Sequence, residues 1–173
     1  MNFNLIISTF RNREIEAASE FVELAEEITK YKPEIEITGI GGLIVGLVES
    51  HPIKFTDIFR DLIIAEPWKL RYLLRVIPIE VLCKTNLPDI TCNATYLSYK
   101  IPKTSSFKIV VEKRFCNMKS TKIISNIANR IDIQVNLTHP HWIILVEILG
   151  KRTGISILRP ESILSIVKIK RDY

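Results

Sequence analysis

Residues 107–131, FKIVVEKRFCNMKSTKIISNIANRI, predict a buried strand, a short cationic loop and an amphipathic helix. Apolar residues first alternate with the two-residue period of a strand, at Phe107, Ile109 and Val111. Apolar residues then recur with the period of a helix over residues 123–131. A buried strand that leads directly into a helix is typical of a mixed α/β domain.

The loop and the first turn of this predicted helix are rich in basic residues, namely Lys113, Arg114, Lys119 and Lys122. Ser120 is placed to cap the helix. The first turn of a helix carries free backbone N–H groups and the positive end of the helix dipole, so it attracts anions. We therefore expect this segment to bind the phosphates of a polyanion.

Phe115 follows Arg114 in the same loop and allows two interpretations. An exposed aromatic ring at this position can stack on an unpaired base. The alternative is an aromatic side chain that caps the hydrophobic core. The sequence leaves both interpretations open.

Charge is unevenly distributed along the chain, whose net charge is +5. Residues 1–66 contain six basic and twelve acidic residues, whereas residues 67–173 contain eighteen basic and seven acidic ones. The net charges of the two parts are therefore −6 and +11. This asymmetry favours a polyanionic partner for the second part, although surface charge also serves solubility alone.

Several classes of protein are disfavoured by the sequence. No apolar run reaches the ~18–20 residues of a membrane span, and the N-terminus lacks a secretory pattern, so we expect a cytoplasmic protein that does not bind membranes. Cys83, Cys92 and Cys116 lack the spacing of a zinc site or a disulfide framework. His139 and His141 have no carboxylate or cysteine at ligand spacing, so no metal site is expected.

Motifs of catalysis and of cofactor binding are absent from the sequence. There is no P-loop, no serine nucleophile elbow and no dinucleotide fingerprint. The stretch GIGGLIVG at residues 39–46 lacks the G-x-G-x-x-G spacing, and a strand follows it where that motif needs a helix, so it predicts a hairpin turn. We expect no catalytic residue, no cofactor and no enzymatic activity from this chain alone.

The first part of the chain predicts the order β-α-β-β-α-β, which is that of a ferredoxin-like domain. Its strands are expected at residues 4–9, 34–38, 43–48 and 73–83, and its helices at residues 13–29 and about 56–65. Pro78 indicates a bulge or an edge position in the fourth strand. We predict a ferredoxin-like domain at residues 1–80 packed on an α/β domain at residues 81–173, which adds a helix at 87–99 and strands at 142–149 and 155–158.

Four stretches of sequence, in this order, resemble the THUMP domain: RVIPIEVLCKT at 75–85, FKIVVEKR at 107–114 before a helix that begins with serine, VNLTHPHWIILVEILG at 135–150, and TGISILRPESIL at 153–164. THUMP is an RNA-binding module of tRNA thiolation enzymes, tRNA methyltransferases and some pseudouridine synthases. The residues before it resemble the ferredoxin-like domain that commonly accompanies it. The chain is most similar to stand-alone archaeal proteins, which are similar to the eukaryotic THUMP protein that assists the acetylation of a cytidine in tRNA.

This resemblance implies that the module recognises the acceptor stem and 3′ CCA end of tRNA, while a partner performs the chemistry. It implies RNA contacts at the matching positions Lys113, Arg114, Ser120, Lys122, Lys151 and Arg152. The basic and aromatic character of Lys84, Phe115 and Lys119 adds these three residues to the expected RNA-binding set. Asn136, His139 and His141 depart from the family pattern, which puts a role for their turn in doubt.

Two functions follow from this interpretation. The first is a tRNA-binding adaptor that presents tRNA to a separate modification enzyme, for which the resemblance implies a cytidine acetyltransferase. The alternative is a protein–protein interaction module whose ferredoxin-like sheet pairs at an edge, without a specific RNA role.

Overall fold

The structure is a computed structural model that describes residues 2–172. The chain forms two compact units. The first contains the chain up to Ile79 together with the segment from Ser162 onward, and the second is Glu80–Glu161.

The first unit begins with strand β1 (Leu5–Thr9), helix α1 (Glu14–Thr29), strands β2 (Glu34–Ile37) and β3 (Leu43–Leu47), helix α2 (Pro52–Ala65) and strand β4 (Leu73–Pro78). The strands are ordered β4-β1-β3-β2, and each neighbouring pair is antiparallel. This order and direction give the ferredoxin-like arrangement that the sequence predicts. The glycine-rich stretch joins β2 to β3, so the predicted hairpin is confirmed.

The main part of the core of this unit lies between its sheet and helices α1 and α2. Helix α1 buries Ala17, Phe21 and Leu24, which recur along one face of the helix. Phe21 contacts Phe55 and Phe59 of α2, with ring centroids 5.8 and 5.5 Å away. Helix α2 begins at Pro52, earlier than expected near residue 56, because the fixed φ angle of proline and its missing N–H suit the first turn of a helix.

The second unit contains strand β5 (Val81–Lys84), helix α3 (Leu87–Leu97), strand β6 (Ser106–Arg114), helix α4 (Ser120–Ala128) and strands β7 (Gln134–Val135), β8 (Trp142–Leu149) and β9 (Arg152–Leu158). The sheet order is β5-β9-β8-β6-β7. Strand β6 is parallel to β7 and β8, whereas β9 is antiparallel to β8 and β5. The predicted strand–loop–helix unit is therefore confirmed.

Both helices of the second unit pack on one face of its sheet. Ile90 of α3 and Ile123 of α4 share a core cluster with Ile144 and Val146 of β8 and Ile155 of β9. Residues of β6 alternate between this helix-facing side and the opposite side. This alternation decides the side of the sheet on which each basic residue lies.

The single strand predicted at residues 73–83 is wrong, because the structure divides it into β4 and β5 of two different sheets. Strand β4 ends at Pro78, which has no N–H to donate to a neighbouring strand. The N–H of Ile79 then donates to the carbonyl of Asn4 in the first unit (2.8 Å), whereas that of Glu80 donates to the carbonyl of Ile155 in the second (3.1 Å). The chain thus changes sheets between two adjacent residues.

The C-terminal segment returns to the first unit as strand β10 (Leu164–Ser165) and helix α5 (Ile166–Asp172). Strand β10 pairs with β4, Leu164 opposite Val76, and extends the first sheet to β10-β4-β1-β3-β2. The predicted second domain, residues 81–173, therefore has to be corrected at its C-terminal end. A two-residue strand carries no periodic pattern, so only the pairing reveals it.

Candidate nucleic-acid interface

The expected RNA-binding residues gather at one edge of the second sheet, where β5, β6 and β8 end and β9 begins. Arg114 pairs in register with Leu149, Leu149 with Arg152, and Arg152 with Lys84. These four residues therefore form one line across four strands. Neighbouring strands lie about 4.8 Å apart, so the line from Arg114 to Lys84 is about 14 Å long.

Backbone hydrogen bonds connect the chain segments that meet at this edge. The N–H of Gly150 donates to the carbonyl of Arg114 (2.9 Å), and that of Thr85 donates to the carbonyl of Lys151 (3.0 Å). Gly150 has a φ of +59°, which glycine adopts without strain. The β8–β9 turn is thus held between the end of β6 and the start of α3, which brings Lys151 to the same edge.

Helices α3 and α4 both begin at this edge, since each follows the carboxyl end of a strand. The side chain of Asn86 caps α3 by accepting a hydrogen bond from the N–H of Asp89 (2.8 Å). At α4 the expected cap is wrong: Lys119 occupies the capping position with an extended backbone, and Ser120 is the first helical residue. An ammonium group cannot accept a hydrogen bond, so Lys119 leaves the first N–H groups of α4 for an anion.

The loop before α4 alternates between inward and outward side chains. Cys116 and Met118 are partly buried against the core, whereas Phe115 is 81% exposed. The core-capping interpretation of Phe115 is therefore wrong. Phe115 has a φ of +54°, a left-handed backbone conformation that residues other than glycine rarely adopt. The ammonium group of Lys113 donates to the carbonyl of Met118 (2.7 Å) and closes the loop.

Arg114 has a structural partner as well as a place at this edge. Its guanidinium donates to Oε2 of Glu147 (2.9 Å). The side chain of Glu147 is 1% exposed and that of Arg114 is 32% exposed. A buried carboxylate is costly without a positive partner, so Arg114 stabilises the fold. A guanidinium has five N–H donors, and the exposed part of this one still reaches solvent.

Strand alternation sorts the basic residues into two groups. Three basic residues lie on the side of the sheet opposite the helices: Lys84, Arg114 and Arg152. Cys83 and its strand partner Thr153 face the helices, so the next residue on β5, Lys84, and the preceding residue on β9, Arg152, face the other side. Val111 of β6 also faces the helices, so Arg114, three residues later, faces away from them. We call these three residues the basic row. Lys113, Lys119, Ser120 and Lys122 lie on the helix side, around the start of α4, and we call them the helix-start cluster. Lys151 occupies the turn beside the basic row.

Comparisons with known proteins bear on this part of the chain. Residues 84–158 match the THUMP domain. The match begins at Lys84 in β5, ends at Leu158 in β9, and contains all nine residues of the expected RNA-binding set. A comparison with curated proteins finds no matching sequence.

Solved structures share the fold of the chain, including the segment that matches the THUMP domain. PH1313 from Pyrococcus horikoshii Ot3 is 13% identical, with a TM-score of 0.64 over 90% of this chain and 54% of that one. TrmN from Thermus thermophilus is 12% identical, with a TM-score of 0.58 over 90% and 46%. A 4-thiouridine synthetase–RNA complex with bound ATP is 12% identical, with a TM-score of 0.58 over 91% and 42%. The chain thus spans about half the length of these structures.

The turn that contains His139 and His141 lies away from the expected RNA-binding residues. The N–H of Asn136 donates to the carbonyl of Phe107, and Nδ1 of His141 accepts from the N–H of Ser106 (3.1 Å). Both partners are at the amino end of β6, opposite the end that carries Arg114. Within residues 2–172, no group of three or more potential ligands could hold a metal ion, and no helix is long and apolar enough to cross a membrane.

The charge of the two units differs from the contrast seen along the sequence. The second unit has twelve basic and six acidic residues, a net charge of +6. The first has twelve basic and thirteen acidic residues, a net charge of −1. The steep −6 and +11 contrast of the linear chain is reduced because Lys69, Arg71, Arg75 and the C-terminal cations all belong to the first unit.

Proposed function

We propose that this protein binds tRNA through the edge that carries the basic row and the helix-start cluster. The observation that carries the proposal is the convergence of Lys84, Arg114, Lys151 and Arg152 with the uncapped start of α4. Phosphates are the ligands that guanidinium groups, ammonium groups and helix N-termini share. The resemblance of the segment to an RNA-binding module points to the same ligand.

Each part of the edge has a distinct role in this proposal. The first N–H groups of α4, with Lys119 and Lys122 beside them, hold a phosphate. The basic row and Lys151 follow the sugar–phosphate chain across the sheet edge. Phe115 presents its ring to solvent and stacks on an unpaired base, which a single-stranded 3′ end supplies. Phosphate contacts position the RNA, and the unpaired base adds the preference for an end.

We further propose that the protein recognises the acceptor stem and the 3′ CCA end, and that it presents tRNA to a separate modification enzyme. A cytidine acetyltransferase is the partner that the family resemblance implies. In this mechanism the chain itself only binds the tRNA and orients it for the enzyme. The assay is incubation of tRNA with acetyl donor and a candidate acetyltransferase, with and without this protein; an adaptor raises the acetylated fraction.

The RNA site is tested with the double variant Lys119→Glu plus Lys122→Glu and a matched control, Lys103→Glu plus Arg130→Glu. All four side chains are exposed, and the control residues lie in the loop before β6 and just after α4. Both variants change the net charge equally. Losing two phosphate contacts near 0.15 M salt weakens binding roughly 20-fold and lowers the slope of log K against log salt by about 1.4 to 1.8.

Fluorescence polarisation with labelled tRNA measures both quantities. We expect the large loss of affinity for Lys119→Glu plus Lys122→Glu, called the helix-start variant, and a small loss for the control. Equal losses would mean generic attraction to a basic protein and would refute the site. Removing the 3′ terminal nucleotides of the tRNA should also weaken binding, whereas equal affinity would refute recognition of the CCA end.

A further inference from the structure

A second basic surface lies on the first unit, beside the end of β1 and the start of β4. The residues that line a cleft of about 400 Å³ there include Phe10, Arg71, Leu73, Val167, Lys170 and Arg171. Among the described residues, every charged side chain that lines the cleft is basic. Phe10 is 51% exposed, although its ring is fully apolar. We call this feature the β1–α5 cleft.

The cleft is held together by pairings between distant parts of the chain. Thr9 pairs with Leu73, so Phe10 and Arg71 lie at the same end of the β1–β4 pair. The hydroxyl of Thr9 also donates to the carbonyl of Tyr72 (2.8 Å). On the other side, the ammonium group of Lys170 donates to the carbonyl of Leu70, which fixes the last turn of α5 beside β4.

Among the described residues, the carboxylate of Glu20 lies close to the segment that carries Arg71, and backbone N–H groups occupy its acceptors. Glu20 of α1 accepts hydrogen bonds from the backbone N–H groups of Arg71, Tyr72 and Leu73 at 2.7 to 3.2 Å. These bonds fix the backbone of the segment that carries Arg71. Arg71 itself is exposed and lines the cleft together with Arg171.

We propose that the β1–α5 cleft binds the sugar–phosphate chain of RNA next to an unpaired nucleotide. This inference rests on the proposed function, because it assigns a second contact to the same class of ligand. The guanidinium groups of Arg71 and Arg171 can each bind two phosphate oxygens at once. The exposed ring of Phe10 beside them provides a stacking surface for a base.

The helix dipole and the net charge of the unit explain only some of the residues that line the cleft. Basic residues in the last turn of a helix complement the helix dipole, which explains Lys170 and Arg171. That effect explains neither Arg71, which belongs to another segment, nor the exposed Phe10. The first unit has a net charge of −1, so general attraction to a basic protein does not account for binding at this place either.

The test compares two charge-reversal variants of the full chain by tRNA polarisation. Arg71→Glu plus Arg171→Glu changes the cleft, and Lys32→Glu plus Lys54→Glu changes two exposed lysines elsewhere on the same unit by the same charge. We expect the cleft variant to bind roughly 20-fold more weakly near 0.15 M salt, with a salt slope lower by about 1.4 to 1.8. The control should change affinity much less.

Phe10→Ala tests the stacking part of the proposal. It should weaken binding of RNA with an unpaired end roughly tenfold and leave binding of a fully paired duplex nearly unchanged. Equal effects on both RNAs would overturn the role of Phe10. Circular dichroism checks that each variant is folded, and Arg71→Gln plus Arg171→Gln replaces the reversal variant if that one unfolds.

Three outcomes separate this inference from the proposed function. Equal affinity of the cleft variant and its control, while the helix-start variant binds weakly, would overturn only the cleft. A wild-type protein that does not bind tRNA would overturn both. Competition by polyglutamate as strong as that of RNA at equal charge would assign the cleft to acidic protein segments instead.

Discussion

The ion pair between Arg114 and Glu147 makes a prediction that separates stability from RNA binding. Replacing Arg114 by alanine removes the guanidinium that lies 2.9 Å from a carboxylate with 1% exposure. Removing one partner of a fully buried pair costs about 3 to 5 kcal/mol. Arg114 keeps 32% exposure, so water offsets part of the loss, and we expect the free energy of unfolding to fall by about 2 to 3 kcal/mol.

Thermal unfolding followed by circular dichroism measures this loss. For a chain of this size, 1 kcal/mol corresponds to about 2 to 4 °C, so the midpoint should fall by about 4 to 12 °C. Arg130→Ala is the matched control, because Arg130 is exposed just after α4 and its loss should change stability by less than about 0.5 kcal/mol.

The double variant Arg114→Met plus Glu147→Leu completes the test. Replacing both charges by apolar side chains removes the buried carboxylate together with the guanidinium that lies 2.9 Å from it, so stability should recover towards that of the wild type. Any loss of tRNA affinity that persists in this variant then belongs to the contact that Arg114 makes with RNA. An Arg114→Ala protein as stable as the wild type would refute the reasoning about the ion pair.

Two further predictions concern the turn before β3 and the cysteines. Gly42→Ala should lower the free energy of unfolding in urea by about 1 to 3 kcal/mol, because φ is +79° and the new Cβ would lie 2.8 Å from the carbonyl oxygen of Thr9. Gly39→Ala is the control: its φ is +73°, but the space around it is open, so the loss should be smaller. Equal losses would contradict the steric argument. Burial raises the pKa of the Cys83 thiol to about 11, so at pH 8.5 only about 0.3% of it is thiolate. Iodoacetamide followed by peptide mass spectrometry should label exposed Cys92 well before Cys83, and equal labelling rates would contradict it.

Local patterns were sufficient wherever an element is long and periodic. The predictions of β6, α4 and β8 are confirmed, because the apolar pattern within each of these segments is sufficient to identify the element. The hairpin between β2 and β3 was likewise visible in its glycines. The sequence pattern differs from the structure where a single residue decides the geometry. Lys119 rather than Ser120 occupies the capping position of α4, and Pro78 ends one strand where the apolar pattern continues.

The amino-acid sequence alone determined the types of the elements, the basic character of the segment around α4 and the presence of an aromatic residue in its loop. The tertiary structure alone decided that Lys84 and Arg152 lie in line with Arg114, and that Phe10 and Arg71 share a cleft with α5. The physical reason is the range of the interactions involved. Periodicity depends on neighbours within a few residues, whereas strand order and register depend on hydrogen bonds between segments that are far apart in the chain.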